Sequence, residues 1–190
     1  MPPFRKLGET EQFRGTLIQV GTARFESPGG EPFERDVVHH PGAVVVVPLT
    51  DRGTVLMVRQ FRAAINDDLL EIPAGKRDVH GEPTEMTAAR ELEEEVGRRA
   101  GRLELIARFY NSPGFTDELS WLYLARDLEE VPVDRQGEEE QHMTLEEVSL
   151  HEAPALIASG AIMDAKSIIG LSLVANLLSR SGEASGGSTS

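Results

Sequence analysis

Apolar positions along the 190-residue chain change their spacing several times, and each change predicts an element. The run over 43–49, AVVVVPL, is continuously apolar, as in a strand buried on both faces. After the turn Asp51-Arg52-Gly53, Val55, Met57, Val58 and Phe61 predict a strand over 54–61, and LLEIPA another over 69–74. Over 83–96 the interval lengthens. Met86, Ala89, Leu92 and Val96 recur at helical spacing, Pro83 suits a first turn, and Gly97 ends the run. Strands are predicted again over 102–110, 119–125 and 143–148, the second holding the only tryptophan, Trp121. Helices are predicted over 152–158 and 164–178; in the latter Ile168, Ile169, Leu171, Leu173, Val174 and Leu178 form a broad apolar face.

The flanks are more polar. Residues 1–12 are expected to be loosely held. Loose alternation over 13–26 ends at the turn signal Ser27-Pro28-Gly29-Gly30, and 34–40 makes a second strand, so 13–40 predicts a small antiparallel sheet ahead of the main domain at 41–178. His39 and His40 are adjacent on a strand and point to opposite faces, which favours packing or surface roles over a shared metal. The segment 128–141 is acidic and poor in apolar residues, hence a loop. The Gly/Ser-rich tail 179–190 has no means of burying itself and is expected to be disordered.

One stretch, 73–97, combines this patterning with chemistry. Glu91, Glu94 and Glu95 stand at i, i+3 and i+4 and share a helix face apart from the apolar stripe. Like charges so placed destabilise a bare helix by about 0.2–0.5 kcal/mol per pair. A hard divalent cation reverses that sign, since carboxylate oxygens are its preferred ligands. A glycine-bearing loop, 74–81, precedes the helix and can direct backbone carbonyls to the same point. The net charge of −13 disfavours nonspecific binding to nucleic acid or anionic membranes, and bound cations would reconcile it with a phosphate-bearing substrate. Hydrophobic content of 39% and charged content of 27% are those of a soluble globular protein. Without cysteine there is no thiolate chemistry; without an apolar leader or an 18-residue apolar run, a cytoplasmic location is expected.

The same stretch resembles the Nudix signature, G-x5-E-x7-R-E-U-x-E-E-x-G-U with U a bulky apolar residue. Glu82, Arg90, Glu91, Leu92, Glu94, Glu95 and Gly97 match in spacing, with Gly75 as the opening glycine. Two departures stand out: six residues rather than five separate Gly75 from Glu82, and Arg98 replaces the final apolar residue. Pro113, sixteen residues beyond Gly97 within SPGFTDE, resembles the ADP-ribose pyrophosphatase branch, as do VRQFR (58–62), LLEIPAG (69–75) and DAKSI (164–168). The resemblance spans 13–178 and implies an α/β/α sandwich with a mixed sheet, agreeing with the predicted alternation of strands and helices.

That resemblance implies Mg²⁺ or Mn²⁺, two or three ions, on the carbonyl of Ala74 and on Glu91, Glu94 and Glu95. Glu82 is expected to act as support, and Arg90 to pair with a motif glutamate and orient it. The catalytic base, or an added metal ligand, is expected in the acidic run, at Glu139 or Glu140, with Glu138 as the remaining choice. Arg62 is expected to grip phosphate or ribose, Glu71 to read ribose hydroxyls, Phe115, Thr116 and Glu118 to border the terminal ribose, and Pro113 to belong to the substrate site. The expected activity is hydrolysis of ADP-ribose to AMP and ribose 5-phosphate by a homodimer whose N-terminal strands cross between subunits. The alternatives are another nucleoside diphosphate sugar, an oxidised nucleoside triphosphate, or a non-catalytic nucleotide-sugar sensor.

Overall fold

Val44 and Val46 pack with Ala88, Leu92 and Val96, whereas Val45 and Val47 pack with Leu171 and Val174. This alternation along one strand defines the layering, because successive side chains leave a strand on opposite faces. The computed structural model describes residues 3–135 and 138–185. Its elements are β1 (Arg5–Arg14), β2 (Gln19–Glu26), β3 (Pro32–His39), β4 (Ala43–Pro48), β5 (Thr54–Arg62), β6 (Asp67–Glu71), β7 (Ala74–Lys76), α1 (Thr84–Val96), β8 (Arg98–Tyr110), β9 (Leu119–Glu130), α2 (Glu138–Gln141), β10 (Thr144–Ser149), α3 (Ala153–Ala158) and α4 (Ala165–Ser185).

Two sheets form the middle layer: a mixed one ordered β7-β4-β9-β8, with β4 and β9 parallel, and an antiparallel one ordered β10-β5-β6. Helix α1 covers one face, and α3 and α4 cover the other. The arrangement is the α/β/α sandwich that the sequence implies. A separate sheet, β1-β2-β3, precedes it and joins the main body where the Val38 amide donates to the Phe115 carbonyl at 2.7 Å. Among the described residues no helix is long and apolar enough to cross a membrane.

Several expectations need correction. Residues 5–14 are not loose: they form β1, paired along its length with β2 from Arg5↔Glu26 to Arg14↔Gln19. A strand at a sheet edge needs backbone pairing rather than an apolar stripe, so its polar sequence hid it. On α1, Met86 is 60% exposed, and the buried face holds Thr87, Ala88, Glu91, Leu92, Glu95 and Val96. Glu91 and Glu95 therefore share the inward face instead of standing apart from it, while Glu94 is half-buried. Strand β9 runs on to Glu130, and one turn of helix, α2, replaces loop over 138–141. Helix α4 continues to Ser185, so 179–185 is helical, while 186–190 of the expected tail lies outside the described residues.

Candidate active site

Helix α1 starts at Thr84 after Pro83 and stops at Gly97, which adopts φ 66° and whose amide donates back to the Glu93 carbonyl at 3.0 Å. These two boundaries fix which residues face β7. Glu91 lies against Gly75 so closely that a β-carbon there would stand 1.9 Å from Glu91 Cδ. Only glycine permits that approach, which is the physical content of the glycine opening the motif. One turn on, Glu95 Oε2 accepts from the Ala74 amide at 3.2 Å, tying the helix to the strand end that delivers Ala74.

Both carboxylates are buried, Glu91 to 8% exposure and Glu95 to 3%. Burial pushes the Glu91 carboxyl up to about 7; Arg90 opposes this, while Glu94 and Glu140 reinforce it. Burial, then repulsion from Glu91 and Glu140, pushes Glu95 up to about 8, against the Ala74 amide and Arg62. Arg90 is the cation among these acids: it stands 3.0 Å from Glu91, 3.2 Å from Glu94, 3.5 Å from Glu82 and 3.7 Å from Asp78. Glu82 also accepts from Thr87 Oγ1 at 2.7 Å, a supporting position behind the carboxylates. Among the described residues no three acidic or histidine side chains close around one point as a finished cage. Arg90 pairs with Glu91 and Glu94 there.

Facing these groups is a cleft of about 600 Å³. Ala74, Arg90, Glu91, Glu94 and Glu95 line it, and so do Arg62, Glu118, Glu139 and Glu140. Glu138 points elsewhere, 3.6 Å from His142 and largely exposed. The Glu140 charge acts on both Glu91 and Glu95. Arg62 donates through Nε and Nη2 to the two oxygens of Glu71 at 2.6 and 2.8 Å. Glu71, 1% exposed, thus sits behind Arg62 with both oxygens engaged, and it is not on the cleft surface where a ribose reader belongs. Both of its oxygens are turned to the Arg62 guanidinium.

Pro113, Phe115 and Thr116 line a different cavity, about 470 Å³, walled also by Phe25, Phe33 and Arg35 of the N-terminal sheet. The expected substrate contacts therefore divide between two places. His39 bridges the same region, its Nδ1 2.5 Å from Asp117 and its Nε2 2.6 Å from Glu9. Sequence reasoning missed Lys166, which lines the carboxylate cleft from the first turn of α4. Its signal was a lysine beside a helix start, where a positive charge is disfavoured.

A NUDIX domain model matches residues 38–166. The chain is 40% identical over 162 residues to the ADP-ribose pyrophosphatase of Bacillus subtilis (strain 168), covering 85% of this chain and 87% of that protein. It is 38% identical, with the same coverage, to a protein of Bacillus methanolicus named methanol dehydrogenase activator. With the ADP-ribose pyrophosphatase of Mycobacterium tuberculosis it shares 36% identity over 88% of this chain and 81% of that one. A solved structure described as an ADP compounds hydrolase superposes with a TM-score of 0.83 at 22% identity, over 96% of this chain and 97% of the other, which speaks to the fold.

Proposed function

The chain belongs to the Nudix family, and from that premise we propose that it hydrolyses the diphosphate of ADP-ribose to AMP and ribose 5-phosphate. The observation that carries the reading is the convergence on one cleft of Glu91, Glu94 and Glu95 from α1, Glu139 and Glu140 from α2, and Arg62 from β5. Relatives named ADP-ribose pyrophosphatase, at 40% and 36% identity, support the choice of substrate.

The donor set fits a hard divalent cation. Two buried carboxylates resist ionising beside each other, and the glycine at 75 leaves room for Glu91 to reach the cleft. Glu91, Glu94, Glu95 and the carbonyl of Ala74 would hold two or three Mg²⁺ or Mn²⁺ ions. Bound there, such ions supply charge that neutralises the diphosphate and makes water more acidic. Arg90 keeps the glutamates oriented, and Glu82 keeps Arg90 in place.

Glu140 takes a proton from the attacking water, with Glu139 beside it on the same wall. The water oxygen forms a new bond to phosphorus, the bond from that phosphorus to the bridging oxygen breaks, and the bridging oxygen leaves on the other phosphate. Arg62, clamped by Glu71, presents its guanidinium to phosphate oxygens, and Glu118 borders the same cleft. In this reading the cavity at Pro113, Phe115 and Thr116 receives the nucleoside end instead of the terminal ribose expected there, because aromatic rings line it, and it is completed by a second copy of the chain.

Hydrolysis of ADP-ribose with Mg²⁺, coupled to a phosphatase that releases phosphate from the products, tests the proposal. Turnover abolished by chelator and exceeding that on GDP-mannose and ADP-glucose is expected. Hydrolysis of one of those sugars without ADP-ribose turnover would keep the chemistry and sink the substrate. No hydrolysis of any diphosphate would leave a nucleotide-sugar sensor.

A further inference from the structure

Helix α4 opens on a local contradiction. Lys166 is its second residue, where the helix dipole disfavours a cation, yet its side chain is only 18% exposed. A lysine is rarely that covered unless something holds it there. The neighbouring acids each carry hydrogen bonds of their own, although one oxygen of Asp164 pairs with Lys166 directly. Asp164 Oδ2 accepts from the Ser167 amide at 2.8 Å and from Ser167 Oγ at 2.7 Å, capping the helix. Both oxygens of Glu71 accept from Arg62. Lys166 Nζ nonetheless stands 2.5 Å from Asp164 Oδ1 and 3.5 Å from Glu71 Oε2, the oxygen that also accepts from Arg62 Nη2. Two cations from different elements are thus drawn together over one carboxylate oxygen, and both line the cleft that holds the α1 glutamates. Departures from local rules are expected at functional sites, and this one lines the same concave site as Arg62.

We infer that Lys166 is a substrate-binding residue that works with Arg62 as a two-cation grip on the diphosphate. Asp164 and Glu71 hold the two cations in position, and the grip covers phosphate oxygens other than those facing the α1 carboxylates. The inference rests on the diphosphate reading above. Arginine and lysine differ here in kind: the fork of Arg62 fixes direction, whereas the ammonium of Lys166 supplies compact charge.

Calorimetric titration with the methylene analogue of ADP-ribose, whose bridging oxygen is CH2, reads binding without turnover. With Mg²⁺ present, K166M is expected to bind at least tenfold more weakly than the unmodified protein, and K166R to recover most of the loss. The melting temperature of each variant shows whether the fold is intact, and K166Q substitutes if K166M melts early. Equal affinity of the unmodified protein and K166M overturns the assignment and leaves the substrate reading standing. If the unmodified protein does not bind the analogue, the substrate reading falls. Inorganic pyrophosphate with Mg²⁺ then decides Lys166: weaker binding by K166M upholds the grip, and equal binding, or none by either protein, overturns it.

Discussion

Glu95 is an acid kept where acids are least welcome, 3% exposed and beside a second buried carboxylate. Replacing one of two crowded buried carboxylates with a neutral isostere relieves desolvation and repulsion together. Metal-free E95Q is therefore expected to melt no lower than the unmodified protein, since glutamine keeps an oxygen for the Ala74 amide. Its Mg²⁺-dependent turnover is expected to fall by orders of magnitude, and the Mg²⁺-induced rise in melting temperature to shrink. Unchanged turnover would remove Glu95 from the metal site. Gly75 gives a complementary case. A β-carbon there meets the Glu91 side chain at 1.9 to 2.4 Å, and the obstacle is a movable carboxylate rather than backbone. G75A is expected to cost no more than the about 1–3 kcal/mol usual for overpacking, because Glu91 can swing aside. Activity should fall at least tenfold, since the displaced carboxylate is a proposed metal ligand. A melting curve and a rate on the same preparation separate the two effects.

Elements differ in how plainly the chain announces them, and burial explains which. Strand β4 is enclosed on both faces, so AVVVVP carries no polar interruption and is read without difficulty. Helix α1 is bounded by Pro83 and Gly97, whose backbone demands are local, and its limits follow from sequence. Its inward face does not, because Glu91 and Glu95 are buried for chemistry, and a hydrophobic stripe alone selects Met86 in their place. Strand β1 escapes because it is an exposed edge. Its attachment to the domain runs through side chains far apart in sequence: Glu9, His39 and Asp117. The Asp117 and Glu9 carboxylates raise the His39 imidazole above its usual 6.5, while both acids titrate below their ordinary range. A raised histidine contributes stability that is complete below about 6.5 and is lost as pH rises through its folded value. The lowered acids contribute above their ordinary values and lose that contribution in acid. The latch is strongest between those limits. The melting-temperature advantage of the unmodified protein over H39Q should be largest near pH 6 and decline toward pH 9. An advantage that grows with pH would show that His39 is held neutral.

At the scale of the whole molecule, the expected substrate contacts fall in two cavities, and the second is open to solvent along an aromatic face. Phe25 and Phe33 stack with ring centroids 5.4 Å apart, Phe4 meets Phe33 edge-on at 5.9 Å, and Phe4 and Phe115 are 66% and 57% exposed. Aromatic surface of this kind marks an interaction site when it is contiguous. A net charge of −13 opposes association, so the apolar face has to outweigh it for the proposed homodimer to form. Phe4 and Phe115 supply a clean test because each is already exposed in the single chain. Glutamate in their place should disturb a monomer little, yet would bury two charges in a dimer interface. Light scattering is expected to find the unmodified protein dimeric at micromolar concentration and the F4E/F115E variant monomeric. Both side chains also line the nucleoside cavity, so light scattering alone reads the dimer. The KM of that variant for ADP-ribose, expected to rise well beyond tenfold, reads loss of the nucleoside site by either route. Its hydrolysis of inorganic or short diphosphates, which need only the carboxylate cleft, changes little. A monomeric unmodified protein with full activity would confine the whole substrate to one chain, and both cavities would then have to serve a single bound molecule.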